Sequence, residues 1–279
     1  MAQCMSPYTL KDTNTGVQVP CGKCADCRKR RVSAWSFRLM QEDKVSLSSL
    51  FITLTYNTDH VPILKSGYMS LNKSDLQKFF KRLRKLETNK VRYYACGEYG
   101  GKTFRPHYHI ILFNASVNSV ISAWSLDGKP LGSVHFGVVS EASVGYTLKY
   151  ISKKPRIPQH QNDDREREFS LMSKGLGANY LSPTMIAYHR EERALKDRMH
   201  CVLLDGKKIA MPRYYKDKLY STLQRTTAGV ELLKESKLRT EKEEQKMIDK
   251  FGYSEWERIK MEKALLKQTK MSEYDVGKI

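Results

Sequence analysis

His107, Tyr108 and His109 in the run RPHYHIILF, and Tyr146 and Tyr150 in the run YTLKYISKK, are the residues whose types and spacing could do chemistry together. Side chains alternate across a strand, so a strand over 107–113 sets both imidazoles on one face with Ile111 and Phe113, about 7 Å apart at the backbone. Imidazoles so placed can converge on one metal, or can be two hydrogen-bonded histidines of a sheet. The segment from Tyr99 to Pro106 reads as a hairpin loop, which sets Glu98 across the ladder from His107 with Cβ atoms about 5 Å apart. Glu98, His107 and His109 then form a two-imidazole, one-carboxylate set with open positions, which accepts Mn²⁺ readily and Mg²⁺ less well. Cys96 shares the Glu98 face and would make the site softer. His135, on a later strand, reads as a surface residue.

A helix over YTLKYISKK puts Tyr146 and Tyr150 one turn apart, with Lys149 and Lys153 each three residues after a tyrosine. One reading is an aromatic stripe packed on a sheet, with its lysines reaching out to water. The other is nucleophilic. A phenol with a pKa near 10 is ionised to about one part in a thousand at neutral pH. To attack a phosphodiester it needs a Lewis acid on the phosphate and a cation near the phenolate. The metal would supply the first and Lys149 or Lys153 the second. Two identical nucleophiles suit a two-step transfer of a DNA end.

The rest of the chain must position these groups. Leu50 to Tyr56, Val91 to Glu98, His107 to Phe113 and Val134 to Val139 read as strands. Leu76, Phe79, Phe80, Leu83 and Leu86 fall at helical spacing after Asn72, and Val117 to Trp124 reads as a short helix. Ser143 is placed to cap the tyrosine helix. The order β-α-β-β-α-β predicts an α+β fold with an antiparallel sheet and helices on one face, the ferredoxin-like split βαβ plan. A Cys-rich segment over 1–32 would precede a core over 33–155. A loop with accessory elements over 156–227 and a charged helical tail over 228–279 would follow. Within 156–227 the expected pieces are a polar loop to about 170, a helix from about Pro183 and a hairpin around Asp205-Gly206.

The formal charge of +19 on 279 residues favours a polyanionic partner, because neutralised phosphates release condensed counterions. Residues from 231 onward nearly balance their charges, so the excess lies in the first 230. No run of about eighteen apolar residues exists and no membrane-anchoring signal is found, so a membrane partner is not expected. The opening MAQCMSPYTLKD shows no basic-then-apolar pattern, which leads to the expectation of a cytoplasmic protein.

Cys21, Cys24 and Cys27 form C-x-x-C-x-x-C, with Cys4 upstream. In a cytosolic chain such spacing suggests metal rather than disulfides. Structural Zn²⁺ on four thiolates, an iron–sulfur cluster and unligated thiols all stand as readings. Arg28, Lys29, Arg30 and Arg31 follow directly and could meet phosphate. Cys96 and Cys201 read as ordinary half-buried cysteines.

The blocks FITLTYN, GEYGGKTFRPHYHIILF, GYTLKYISKK and VPCGKCADCRKRR together resemble the replication initiation proteins of the Microviridae, in particular the gokushovirus branch of these single-stranded DNA phages. These are rolling-circle endonucleases of the HUH superfamily, named for a His-hydrophobic-His pair whose middle residue is Tyr108 here. The resemblance spans about residues 20–155. It implies a DNA endonuclease that nicks one strand at the origin, links a tyrosine to the 5′ phosphate and later rejoins the ends. It implies His107, His109 and Glu98 on a divalent metal, Mg²⁺ or Mn²⁺, with Tyr146 and Tyr150 as nucleophiles and Lys149 and Lys153 at the family's lysine position. The implied partners are single-stranded and replicative-form origin DNA and the host helicase and polymerase, in the bacterial host cytoplasm. Thr53, Thr55 and Arg105 are expected as sheet or DNA-contact positions. The rivals are a zinc-containing nucleic-acid-binding regulator without catalysis, and a plasmid-type initiator or relaxase of the same superfamily.

Overall fold

The computed structural model describes residues 4, 6–9, 18–140, 143–145, 147–148, 157–203 and 206–276. The chain divides into two units, Trp35–Asn179 and a second made of Met1–Ala34 with Tyr180–Ile279.

The first unit holds a five-stranded antiparallel sheet in the order Val134–Gly137, Ser49–Thr55, Pro106–Phe113, Arg92–Tyr99, Phe169–Met172. The first four strands in that order carry the split βαβ arrangement expected from the sequence. The fifth, at the far edge, lies just beyond the prolines and charges of 155–168, in a stretch whose reading as a loop it interrupts. Phe169 and Leu171 alternate toward the apolar face and pack against the core there.

That core lies between one sheet face and two helices, Lys73–Leu86 and Val117–Ala123. Leu54, Tyr108, Ile110 and Leu112 from the sheet meet Leu76, Phe79, Phe80 and Leu83 from the longer helix, and Val120 from the shorter. Asn72 starts the longer helix as the sequence suggests, its side-chain oxygen accepting from the N–H groups of Ser74 at 3.0 Å and Asp75 at 3.3 Å. Asn72→Ala should lower unfolding stability by about 1 kcal/mol. Chemical denaturation would show this as a lower midpoint with an unchanged slope.

Tyr108, the middle residue of the His-Tyr-His run, points into this core. Its hydroxyl accepts from the Asn72 N–H at 3.0 Å and lies 3.0 Å from the Asn72 carbonyl and 2.9 Å from the Tyr56 hydroxyl. Burial pushes its phenol well above the usual range, so it stays neutral. A polar tip at an apolar position is tolerated because the helix start satisfies it. The same bonds tie the histidine strand to that helix.

The opposite sheet face is covered in part. Trp35, from an Ala25–Asp43 helix that was not among the expected elements, packs on Tyr94 with ring centroids 4.9 Å apart, and Phe37 and Leu39 are buried on the same helix. Further along that helix, Glu42 takes a two-point bond from Arg92 and accepts from the Gly177 N–H at 2.7 Å. Residues 143–145 and 147–148 are helical, and Val144, Thr147 and Leu148 are buried. Ser140, not Ser143, takes the capping position. Its Oγ accepts from the Ser143 N–H at 3.1 Å, while Ser143 Oγ accepts from the Ser140 N–H at 2.8 Å. Gly132 is required where the chain returns to the sheet, since a Cβ there would lie 1.8 Å from the Thr55 carbonyl oxygen.

In the second unit the expected helix runs over Pro183–Arg190 with Ser182 as its cap. The expected hairpin pairs His200–Val202 with Lys208–Ala210. The charged tail forms two long helices, Thr222–Phe251 and Tyr253–Val276, broken at Gly252 with φ of 78° and tied by a Lys260–Glu244 bridge of 2.6 Å. No helix among the described residues is long and apolar enough to cross a membrane.

Candidate active site

Antiparallel pairing sets the polar side chains of the second sheet face in rows. In one row Thr55 pairs with His107 and His107 with Glu98. In the next, His135 pairs with Thr53, Thr53 with His109, His109 with Cys96 and Cys96 with Ser170. The pairing of Glu98 with His107 is the one the short hairpin predicts.

The two imidazoles converge on one carboxylate oxygen. His107 Nε2 lies 2.8 Å and His109 Nε2 3.2 Å from Glu98 Oε1. Glu98 is 9% exposed and His109 5%, with His107 half-buried. Burial by itself would raise the Glu98 carboxyl. The hydrogen bonds and charge of His107 and His109 outweigh burial and hold it at about 2. The three ligand atoms lie within 4.8 Å of one another, as a shared metal requires.

The outer nitrogens of both rings are also held. His107 Nδ1 lies 3.1 Å from the Arg105 carbonyl, which can only accept, so Nδ1 carries a proton and the Nε2 lone pair is the one available to a metal. His109 Nδ1 lies 2.9 Å from Thr53 Oγ1, and its ring stacks on Phe51 at 5.9 Å. A hydroxyl can donate or accept, so Thr53 serves His109 with or without a metal on Nε2. Such outer partners fix the tautomer and ring orientation of metal-binding histidines. The donor set and its support therefore fit a divalent ion.

Thr53 is thus a sheet residue with a positioning task. Thr53→Val keeps the shape and removes the bond. It should weaken Mn²⁺ binding by at least about 10-fold, with Thr53→Ser restoring it. Titration calorimetry with Mn²⁺ measures this without reference to catalysis.

Other expected site residues are placed as follows. Thr55 Oγ1 donates to the Ser133 carbonyl at 3.3 Å, and Arg105 Nη2 donates to the Tyr56 carbonyl at 2.7 Å. His135 is exposed, as expected. The Cys96 thiol donates toward the carbonyls of His109 at 3.6 Å and Thr147 at 3.8 Å, so it braces the site and is not grouped with its ligands. Tyr146, Lys149, Tyr150 and Lys153 lie outside the described residues. In the second unit, Cys4, Cys21, Cys24 and Cys27 come together as a group. Hydrogen bonds from the N–H groups of Cys24 and Lys23 pull the Cys21 thiol down to about 6, and burial pushes Cys27 up to about 12. Arg28 Nε donates to the Lys23 carbonyl and Arg31 Nη2 to that of Gly22, while Lys29 is exposed.

A two-histidine, one-carboxylate site can take several metals and serve several chemistries, and comparison with known proteins narrows it. Residues 49–155, which include the whole triad, match the replication-associated protein family of the ORF2 type. Outside that segment similarity extends further along the chain. The ORF2 replication-associated protein of Spiroplasma virus 4 is 28% identical over 217 residues, covering 71% of this chain and 66% of the relative. The VP4 replication-associated protein of Bdellovibrio phage phiMH2K is 28% identical over 218 residues, with the same coverage. The ORF4 replication-associated protein of Chlamydia phage 1 is 24% identical over 225 residues, covering 53% of its length. The chain therefore spans just under two thirds of the first two relatives and about half of the third. No solved structure matches it. The triad and its Thr53 and Arg105 supports all fall inside the segment that matches the replication-associated family.

Proposed function

We propose that this chain initiates phage DNA replication by nicking one strand at the origin and later rejoining it. The observation that carries this reading is the convergence of His107 and His109 on Glu98 within the segment similar to replication-associated proteins. Glu98, His107 and His109 would hold Mg²⁺ or Mn²⁺, which when bound supplies Lewis-acid polarisation of the scissile phosphate.

The nucleophiles in this reading are Tyr146 and Tyr150. What supports them is the company they keep in sequence. The helical residues beside Tyr146 include Thr147, whose carbonyl accepts from Cys96, and Cys96 is the cross-strand neighbour of His109. A tyrosine oxygen bonds to phosphorus and the bond from phosphorus to the 3′ oxygen breaks. The phenol loses its proton, and the 3′ oxygen gains one as it leaves as a hydroxyl. The chain keeps the 5′ phosphate as a phosphotyrosine, and the free 3′ hydroxyl can prime a host polymerase. After one round the second tyrosine repeats the attack at the regenerated junction and frees a 3′ hydroxyl. That oxygen bonds to the phosphorus held by the first tyrosine, the phosphorus–tyrosine bond breaks, and the phenol regains its proton as the strand closes. Lys149 and Lys153 would steady the phenolates. The basic charge of the first 230 residues would hold single-stranded and replicative-form DNA in the host cytoplasm.

A labelled single-stranded oligonucleotide set tiling the phage genome, incubated with the full chain and Mn²⁺, should give a protein–DNA adduct that survives denaturation. DNA binding with no adduct on any oligonucleotide would sink the nicking mechanism and favour a non-catalytic regulator.

A further inference from the structure

We propose that Cys4, Cys21, Cys24 and Cys27 hold one tetrahedral zinc ion that clamps the chain's first residues to the start of the Ala25–Asp43 helix. Nicking does not enter this inference, which rests on geometry in the unit that lacks the histidine triad.

A tetrahedral ion with metal–sulfur bonds of about 2.3 Å separates its sulfurs by about 3.8 Å. Here Cys4 Sγ and Cys24 Sγ are 3.9 Å apart, and Cys21 Sγ and Cys27 Sγ 4.0 Å. All four sulfurs lie within 4.8 Å of one another. The distances argue against the two other ways of joining these sulfurs, a disulfide and an iron–sulfur cluster. Disulfide sulfurs sit about 2.05 Å apart, and none of these four cysteines is in a disulfide. An iron–sulfur cluster spreads its thiolates over several irons, roughly 6 Å apart, which is wider than this group.

Local structure explains how the four meet. Tyr8–Thr9 pairs antiparallel with Gln18–Val19, and a bond from the Cys21 N–H to Cys4 Sγ holds Cys4 beside the turn at Cys21 to Cys24. Gly22 takes φ of 72°, which lets the chain reverse between Cys21 and Cys24. Cys27 lies in the first turn of the helix that opens at Ala25.

The surroundings suit thiolates. The Cys21 N–H donates to Cys4 Sγ at 3.2 Å, and the N–H groups of Lys23 and Cys24 donate to Cys21 Sγ at 3.4 Å and 3.3 Å. Four thiolates around a divalent ion leave a net negative charge. The guanidiniums of Arg28 and Arg31, bonded to carbonyls of the Gly22-Lys23 loop, stand ready to offset it. Four protein ligands close the shell, so the site's role is structural.

The full chain, purified from zinc-supplemented culture and dialysed, should carry about one zinc by elemental analysis. Titrating it with a mercurial reagent should release that zinc as about four thiols react. Cobalt exchanged into the site should give the intense charge-transfer and visible bands of a tetrahedral tetrathiolate. Cys24→Ser/Cys27→Ser should lose the zinc, while His109→Ala should keep it. Wild-type chain free of zinc, iron found in its place, or zinc lost with His109→Ala would each overturn the assignment. The wild-type measurements decide the matter even where the double variant fails to fold.

Discussion

His109→Ala is expected to abolish strand cleavage while leaving salt-sensitive DNA binding nearly unchanged. The 5%-exposed ring supplies one of two Nε2 atoms aimed at Glu98 Oε1, and no other imidazole among the described residues joins the ligand group. Losing one of three ligands should weaken Mn²⁺ binding by at least about 100-fold, beyond the usual effect of removing an outer-shell partner. Cleavage should fall by about 10³-fold or more, since Lewis-acid stabilisation is worth several kcal/mol. DNA binding draws on charges spread over the first 230 residues, so the slope of log affinity against log salt should hold. Equal loss of cleavage and binding would mean that the substitution unfolds the sheet. Acid should act through the imidazoles, which must be free of protons to take a metal. Glu98, held at about 2, remains a carboxylate throughout the working range. Mn²⁺ affinity should therefore fall as pH is lowered, by proton competition at His107 and His109.

The double variant Tyr146→Phe/Tyr150→Phe is expected to form no phosphotyrosine adduct, a drop of at least about 10³-fold. Phenylalanine keeps the ring and removes only the oxygen, so Mn²⁺ binding and thermal stability should match wild type. That pairing of results separates a missing nucleophile from a missing fold. The single variants then divide the labour. If one alone loses the first nick, its tyrosine begins the reaction. If each keeps about half, either can begin. An undiminished adduct from the double variant would mean that another group attacks, and the tyrosine assignment would be wrong.

Much of the site is legible in the residue pattern. Alternation along RPHYHIILF places both histidines on one face, and a short connection from Tyr99 to Pro106 sets the Glu98 pairing. Local signals suffice where partners lie a few residues apart. They fail where partners are distant. The bond between Thr53 and His109 depends on the register of strands whose paired residues are more than fifty positions apart, and no local pattern encodes that register. The cap moves from Ser143 to Ser140 because both serines have the right chemistry and only the backbone path distinguishes them. Phe169–Met172 gives too weak a signal, because a four-residue edge strand carries only two inward apolar side chains.

The candidate metal ligands are written in residue types and short spacings: two imidazoles and a carboxylate on a strand and its hairpin partner, and three thiols in C-x-x-C-x-x-C. Tertiary structure decides which atoms those groups present. It turns both Nε2 atoms toward one oxygen by tying Nδ1 to a carbonyl and a hydroxyl, and it draws four thiols from separate stretches of chain into one group. For His107 the orienting bond is local, two residues away, but for His109 it comes from a strand more than fifty positions distant. Residue spacing along a sequence cannot express that second bond, nor the meeting of Cys4 with the C-x-x-C-x-x-C run.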